Sequence, residues 1–115
     1  FFGRVRNAMS ELALESADLS PAQIELIQTI LRENLPGREV VAFGSRVNGR
    51  ARAFSDLDLA VMGDTPLPMS QLGLLRDAFD NAALPWPVDI VDWSTTSDTF
   101  RSIIKAAYAI VQTPS

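Results

Sequence analysis

Residues 43–61 read FGSRVNGRARAFSDLDLAV, and the reading of this stretch decides the fold. Val40-Val41-Ala42-Phe43 is a short apolar run ended by Gly44, the pattern of a buried strand stopped by a glycine. Asp56 to Val61 reads as a second strand, with two carboxylates two positions apart in an apolar run. Strand side chains alternate faces, so Asp56 and Asp58 share one face while Leu57, Leu59 and Val61 point into the core. Carboxylates about 5 Å apart, at an effective dielectric of about 20, repel by roughly 3 kcal/mol. A fold tolerates that if one stays protonated, if a basic residue sits between them, or if a divalent cation neutralises both.

Outward from this stretch, helices and strands alternate. Ser20-Pro21-Ala22-Gln23 is a capping box with proline at the first helical position, and Ile24, Ile27 and Leu31, flanked by Ile30, follow at helical spacing. Pro36-Gly37 stops that helix. Ser45 to Ala51 has room for a helix of one or two turns. After the turn at 64–68, Ser70 is expected to cap a helix with Leu72, Leu75, Phe79 and Ala82 inward, ended before Pro85. Pro87 to Trp93 reads as a third strand. Ser97 or Asp98 caps a helix carrying Phe100, Ile103 and Ile104, and Tyr108 to Gln112 is a short closing strand. The first two strands are joined by only about a dozen residues, the lower limit for a parallel crossover, so antiparallel pairing is at least as good there. The expected fold is α/β (α+β), a small mixed β-sheet flanked by helices.

Composition narrows the chemistry. The 115 residues suit one domain, and 47% hydrophobic with 21% charged residues is the balance of an ordinary folded globule. No apolar run is long enough to span a bilayer, and no secretory leader pattern is present. Cysteine is absent, which fits a cytoplasmic protein. Histidine is absent too, which removes Ser-His catalysis and His-ligated zinc. A net charge of −4 argues against gripping a nucleic acid through its phosphates. The first methionine is Met9, so the domain is expected to be 9–115, with 1–8 an expression remnant or an N-terminal extension.

Any catalysis must therefore run on carboxylates, hydroxyls, arginines or a borrowed metal. Asp89, in Val88-Asp89-Ile90-Val91, is another carboxylate inside a β-branched run. If the third strand lies beside the second, Asp89 joins Asp56 and Asp58 in a cluster sufficient for a two-metal site. Mg²⁺ suits such oxygen donors and commonly shares them with substrate phosphates. Gly44-Ser45, between a strand and a short helix, offers backbone N–H groups and a hydroxyl to an anion. The dipole of one helix end contributes only about 0.3–1 kcal/mol, so a phosphate there also needs the metal and an arginine. Arg46, Arg50 and Arg52 are in the segment, with Arg38 just before the first strand.

Blander roles compete. Asp92 faces away from Asp89 and reads as solvated or loop-capping. Ser45 is expected to cap its helix as well as bind. Arg46 is a phosphate ligand or a surface ion pair. Trp86 and Trp93 read as packing residues, Ser55 as ordering the turn before the aspartates, and Phe54 as packing.

The pattern GSRVNGRARAFSDLDLAV resembles the Gly-Ser-x10-Asp-x-Asp signature of the DNA polymerase β-like nucleotidyltransferase superfamily, and VDIVD resembles its third-carboxylate strand. In length the chain is most similar to the minimal nucleotidyltransferases (MNT proteins), commonly encoded beside a HEPN-domain ribonuclease toxin and acting as its antitoxin. The resemblance implies that Gly44, Ser45 and Arg46 serve nucleotide binding, with Ser45 on the β- and γ-phosphates. It implies that Asp56 and Asp58 bind two Mg²⁺ ions, and that Asp89 binds the catalytic one and helps activate the attacking hydroxyl. The implied reaction is Mg-dependent transfer of a nucleoside monophosphate, AMP from ATP, onto a hydroxyl of a HEPN toxin. A non-catalytic module that neutralises the toxin by occlusion and an antibiotic adenylyltransferase are the alternatives. One departure is Asn48-Gly49, where family members often carry Arg-Gly. Either Arg50 or Arg52 replaces that guanidinium, or triphosphate binding is weaker.

Overall fold

The computed structural model describes residues 11–114. The expected start at Met9 and the status of residues 1–8 lie outside the described residues. A short 3-10 turn at Leu14–Ser16 leads to α1 (Pro21–Asn34), β1 (Val40–Phe43), α2 (Ser45–Asn48) and β2 (Leu57–Val61). Then follow α3 (Met69–Asp80), β3 (Val88–Asp92), a 3-10 turn at Trp93–Thr95, α4 (Asp98–Ala106) and β4 (Tyr108–Gln112). The four strands form one sheet in the order β3-β2-β1-β4. β1 runs antiparallel to β2 and β4, whereas β2 and β3 are parallel, so the sheet is mixed as expected.

Local chemistry explains the elements. The Ser20 hydroxyl accepts from the Gln23 N–H at 3.1 Å, and the Gln23 side chain accepts from the Ser20 N–H at 2.9 Å. With Pro21 next, the capping box satisfies donors that a helix start leaves open. α2 is cut to four residues because Gly49 adopts a left-handed conformation, φ 85°, and closes its C-terminus. α3 begins differently from the sequence expectation. Pro68, with φ −55°, holds the position before Met69, so Ser70 lies inside the helix and caps nothing. The Asp92 carboxylate steadies that entry by accepting from the Leu67 N–H at 2.8 Å. The expected capping by Ser97 is present, its hydroxyl accepting from the Phe100 N–H at 3.2 Å.

Both faces of the sheet are covered. One face carries Val40, Ala42, Leu57, Leu59, Val61, Ile90, Ala109 and Val111, packed beneath Ile27 and Leu31 of α1 and Leu75 and Phe79 of α3. The other carries Val41, Phe43, Ala60, Met62 and Tyr108, packed against Trp93 of the second 3-10 turn and Ile104 of α4. The carboxylate-bearing face of β2 is thus the margin of a second, smaller core, not an open solvent face. Phe43 and Phe100 meet edge to face at 5.7 Å and fix α4 beside the end of β1. Among the described residues no helix is long and apolar enough to cross a membrane.

Two expectations for the aromatic residues part company here. Trp86 and Trp93 are buried, as packing requires. Phe54, expected to pack, is 78% exposed, because it sits at a turn in the irregular 50–56 loop rather than on an element with an inward face. Removing the capping hydroxyl with Ser20→Ala is expected to cost about 1 kcal/mol. Urea unfolding should show it as a lower midpoint with an unchanged slope.

Candidate active site

Antiparallel pairing sets Phe43, the last residue of β1, opposite Asp58. Parallel pairing of β2 with β3 sets Asp58 opposite Asp89. Residues paired this way share a face, so the two aspartates lie one strand spacing apart, about 4.8 Å between backbones. Three segments thus deliver Gly44, Asp58 and Asp89 to one end of the sheet. Asp56 is exposed, just before β2 begins. Asp92 falls on the opposite face and is fully used there. Its carboxylate accepts from the Leu67 N–H, the Ser94 N–H and the Ser94 hydroxyl, at 2.8, 3.0 and 2.8 Å. Burial alone would raise the Asp92 carboxyl, but these bonds and the Arg38 charge outweigh it and hold the group below the usual carboxylate range. This is the loop-capping role expected of Asp92.

Asp58 shows the opposite balance. Partial burial, then the charge of Asp89, then that of Asp56, push its carboxyl up from 3.8 to about 6. All three causes act in one direction. The carboxylates that alternation and strand order bring together therefore strain one another. Among the described residues no three acidic side chains are already drawn together as a closed metal cage. What the geometry supplies is a coupled Asp58–Asp89 pair with Asp56 alongside, which suits Mg²⁺, an ion that takes one or two carboxylates and completes its shell from phosphates and water.

Gly44 faces Asp58 directly. Its φ of 82° lies in the region that favours glycine, and a Cβ there would collide with the Asp58 carboxylate. The glycine at the end of β1 therefore does two jobs: it turns the chain into α2 and leaves room for a charged side chain. Gly44 also occupies the cap position of α2, so no side chain caps that helix and Ser45 is its first residue. The capping role expected of Ser45 falls away; its half-buried position beside Gly44 remains.

An open cleft of about 580 Å³ lies over the site. Its polar wall is Gly44, Asn48, Arg50, Asp58 and Asp89, and its apolar wall is Phe43, Phe100, Ile103, Ala106 and Ala107. Ser45 adjoins the lining residue Gly44, and Asp56 lies two positions before Asp58; neither lines the cleft. Asn48 stands in the wall and accepts from the main-chain N–H of Arg50 at 3.1 Å. Of the two arginines considered as stand-ins at this position, Arg50 lines the cleft and Arg52 does not. Arg38 is at the far end of β1, donating to the carbonyls of Met62 and Thr65. Arg46 turns away from the carboxylates. Its guanidinium is buried under the 52–55 loop, bonded to main-chain carbonyls and stacked 4.4 Å from the Trp86 ring. A phosphate-binding role for Arg46 has no support in this arrangement, since its donors are already engaged.

Sequence reasoning did not find the apolar wall. The signal was the spacing of Phe100, Ile103 and Ala106, three residues apart on one side of α4. Ser55 does order the turn before the aspartates, its hydroxyl accepting from the Arg52 N–H at 2.9 Å.

Comparison with known proteins agrees with this geometry. The family model Polymerase beta, Nucleotidyltransferase matches residues 25–113. The chain is 43% identical over 95 residues to a probable protein adenylyltransferase MntA of Haemophilus influenzae, covering 83% of each chain. Its fold matches a solved toxin-antitoxin with AMP-PNP at a TM-score of 0.67 and 25% identity, covering 78% of this chain and 73% of that one. It also matches the fold of a chain in the complex of tri-AMPylated Shewanella oneidensis HEPN toxin with MNT antitoxin, at a TM-score of 0.56 and 22% identity, covering 78% and 72%. The strand–glycine–short helix–strand unit carrying Asp58, with Asp89 in register beside it, lies within the matched residues, and the chain belongs to the polymerase β-like nucleotidyltransferase family.

Proposed function

We propose that this protein transfers AMP from ATP to a hydroxyl of a partner protein, a HEPN toxin, and thereby neutralises it. The observation that carries this reading is the in-register Asp58–Asp89 pair facing Gly44 across the polar wall of an open cleft. The relative MntA is a probable protein adenylyltransferase, and the solved relatives include a complex with AMP-PNP and one with an AMPylated toxin. Transfer of AMP forms one bond, from the acceptor oxygen to the α-phosphorus. It breaks one, from the α-phosphorus to the bridging oxygen, and pyrophosphate leaves. The protein has little covalent work here; positioning and charge neutralisation dominate.

Asp56, Asp58 and Asp89 would hold two Mg²⁺ ions. When bound, these ions offset the negative charge of the triphosphate and of the carboxylates together. Gly44 and Ser45 form the turn against which the β- and γ-phosphates rest, with Arg50 on the cleft wall to pair with them. A carboxylate oxygen of Asp89 accepts the proton of the acceptor hydroxyl as it attacks. Ile103, on the apolar wall of the open cleft, stands 58% exposed and offers a surface for the acceptor segment. A cytoplasmic location suits a reaction that draws on ATP.

The direct test uses the purified protein, Mg²⁺, α-labelled ATP and the partner toxin. Label should pass to the partner with the wild type. With Asp56→Ala and Asp58→Ala combined it should fall by at least about 100-fold while the circular dichroism is unchanged. No transfer by the wild type, or full neutralisation of the toxin by the double variant, would replace catalysis with occlusion.

A second expectation concerns pH. Asp58 ionises near 3.8 in the unfolded chain and at about 6 in the folded one. The folded state holds the extra proton between those values, so this group favours folding below the lower one, and that contribution is lost as pH rises through the upper. Asp58→Asn should therefore raise the thermal midpoint little near pH 4 and clearly above about pH 6. Mg²⁺ should stabilise the wild type at neutral pH and leave Asp58→Asn almost unmoved.

A further inference from the structure

Arg46 is buried to 4% exposure, a rare state for arginine unless its donors are satisfied. They are. Nε donates to the Ser55 carbonyl at 2.8 Å, and Nη2 donates to the carbonyls of Ala53 and Arg52 at 2.9 and 3.3 Å. Nη1 donates to the Asp18 carbonyl at 3.1 Å and lies 3.6 Å from the exposed Asp18 carboxylate. One face of the guanidinium is 4.4 Å from the Trp86 ring. In return, the Arg46 carbonyl accepts from the Asp18 N–H at 2.7 Å. One side chain thus binds the segment before α1 to the loop between α2 and β2.

That loop has no strand or helix of its own to hold it. Arg50, which lines the cleft, stands at its start, and Asp56 follows directly after the Ser55 carbonyl that Arg46 grips. The planar fork reaches three carbonyls of the 52–55 stretch at once, which a point-charge ammonium cannot do. We infer that Arg46 is a positioning residue: through the 52–55 carbonyls its guanidinium sets where Asp56 stands beside Asp58, and so sets the affinity of the carboxylates for a divalent cation. It touches neither nucleotide nor acceptor. The inference rests on the metal-dependent reading above for its consequence, and on the hydrogen bonds alone for its geometry.

Arg46→Lys keeps the charge and loses the fork, and Asp18→Ala removes only the rim carboxylate. Mn²⁺ binding to each, followed by electron paramagnetic resonance without nucleotide, gives a readout independent of activity. Arg46→Lys is expected to stay folded and bind Mn²⁺ at least tenfold more weakly, with transfer partly recovered at high Mg²⁺. Asp18→Ala should match the wild type. Unchanged Mn²⁺ affinity in Arg46→Lys overturns the inference, and a raised KM for ATP with unchanged Mn²⁺ affinity would make Arg46 a phosphate ligand instead. Should Arg46→Lys not fold, the wild-type Arg46 Nε–H resonance decides. It should be protected from exchange and unmoved by AMP-PNP, and rapid exchange or a shift with nucleotide refutes the strut. If the wild type binds no Mn²⁺, the metal-dependent reading of the site fails instead, and the resonance still tests the strut.

Discussion

Two aspartates stand opposite each other on neighbouring parallel strands, one of them half-buried, and the architecture of this end of the molecule follows from how that repulsion is accommodated. Any side chain at position 44 would collide with the Asp58 carboxylate, so β1 must be followed by glycine. The short α2 then swings the chain aside, and a long irregular loop brings it back to β2. The second core, under α4, stops at Phe43 and Phe100 and leaves the carboxylates at its edge. A fold with no function at this point could replace Asp58 by a small apolar residue and relieve the strain. Strain of this kind, at the wall of a cleft, marks a functional site, and the proposed function assigns a cation and a phosphate to offset it.

Much of this was legible in the chain, because it depends on short-range rules. Capping chemistry marked α1 and α4, glycine and proline marked the ends, and alternation placed Asp89 and Asp92 on opposite faces; Asp56, expected inside the strand, falls one residue before β2. The connection length made an antiparallel β1–β2 pair at least as good as a parallel one, and the pair is antiparallel. The register of β3 against β2 was not legible. It is fixed by how Leu57, Leu59 and Ile90 fit together beneath α1 and α3, a packing problem with no local signature. That register turned two separate strand aspartates into a pair.

The arginines show the same limit from the other side. Arg46, Arg50 and Arg52 look equivalent in sequence, clustered just after the Gly44-Ser45 turn. Burial separates them: Arg46 becomes a strut stacked on Trp86, a residue some forty positions away, and Arg50 remains on the cleft wall. Nothing in the spacing could distinguish them, since the deciding partners are main-chain carbonyls and one distant ring. Phe54 was misjudged for a related reason. In a loop held by its own carbonyls, a phenylalanine need not face inward.

The central claim is that the Asp58 carboxylate carries the cost of its neighbours until a cation and a nucleotide offset it. The most direct measurement is a carboxyl-carbon NMR titration of Asp58, without metal and again with Mg²⁺ and AMP-PNP. A midpoint of about 6 without metal, falling well below the usual carboxylate range when both are added, is the predicted result. A midpoint that does not move on adding them would contradict the account.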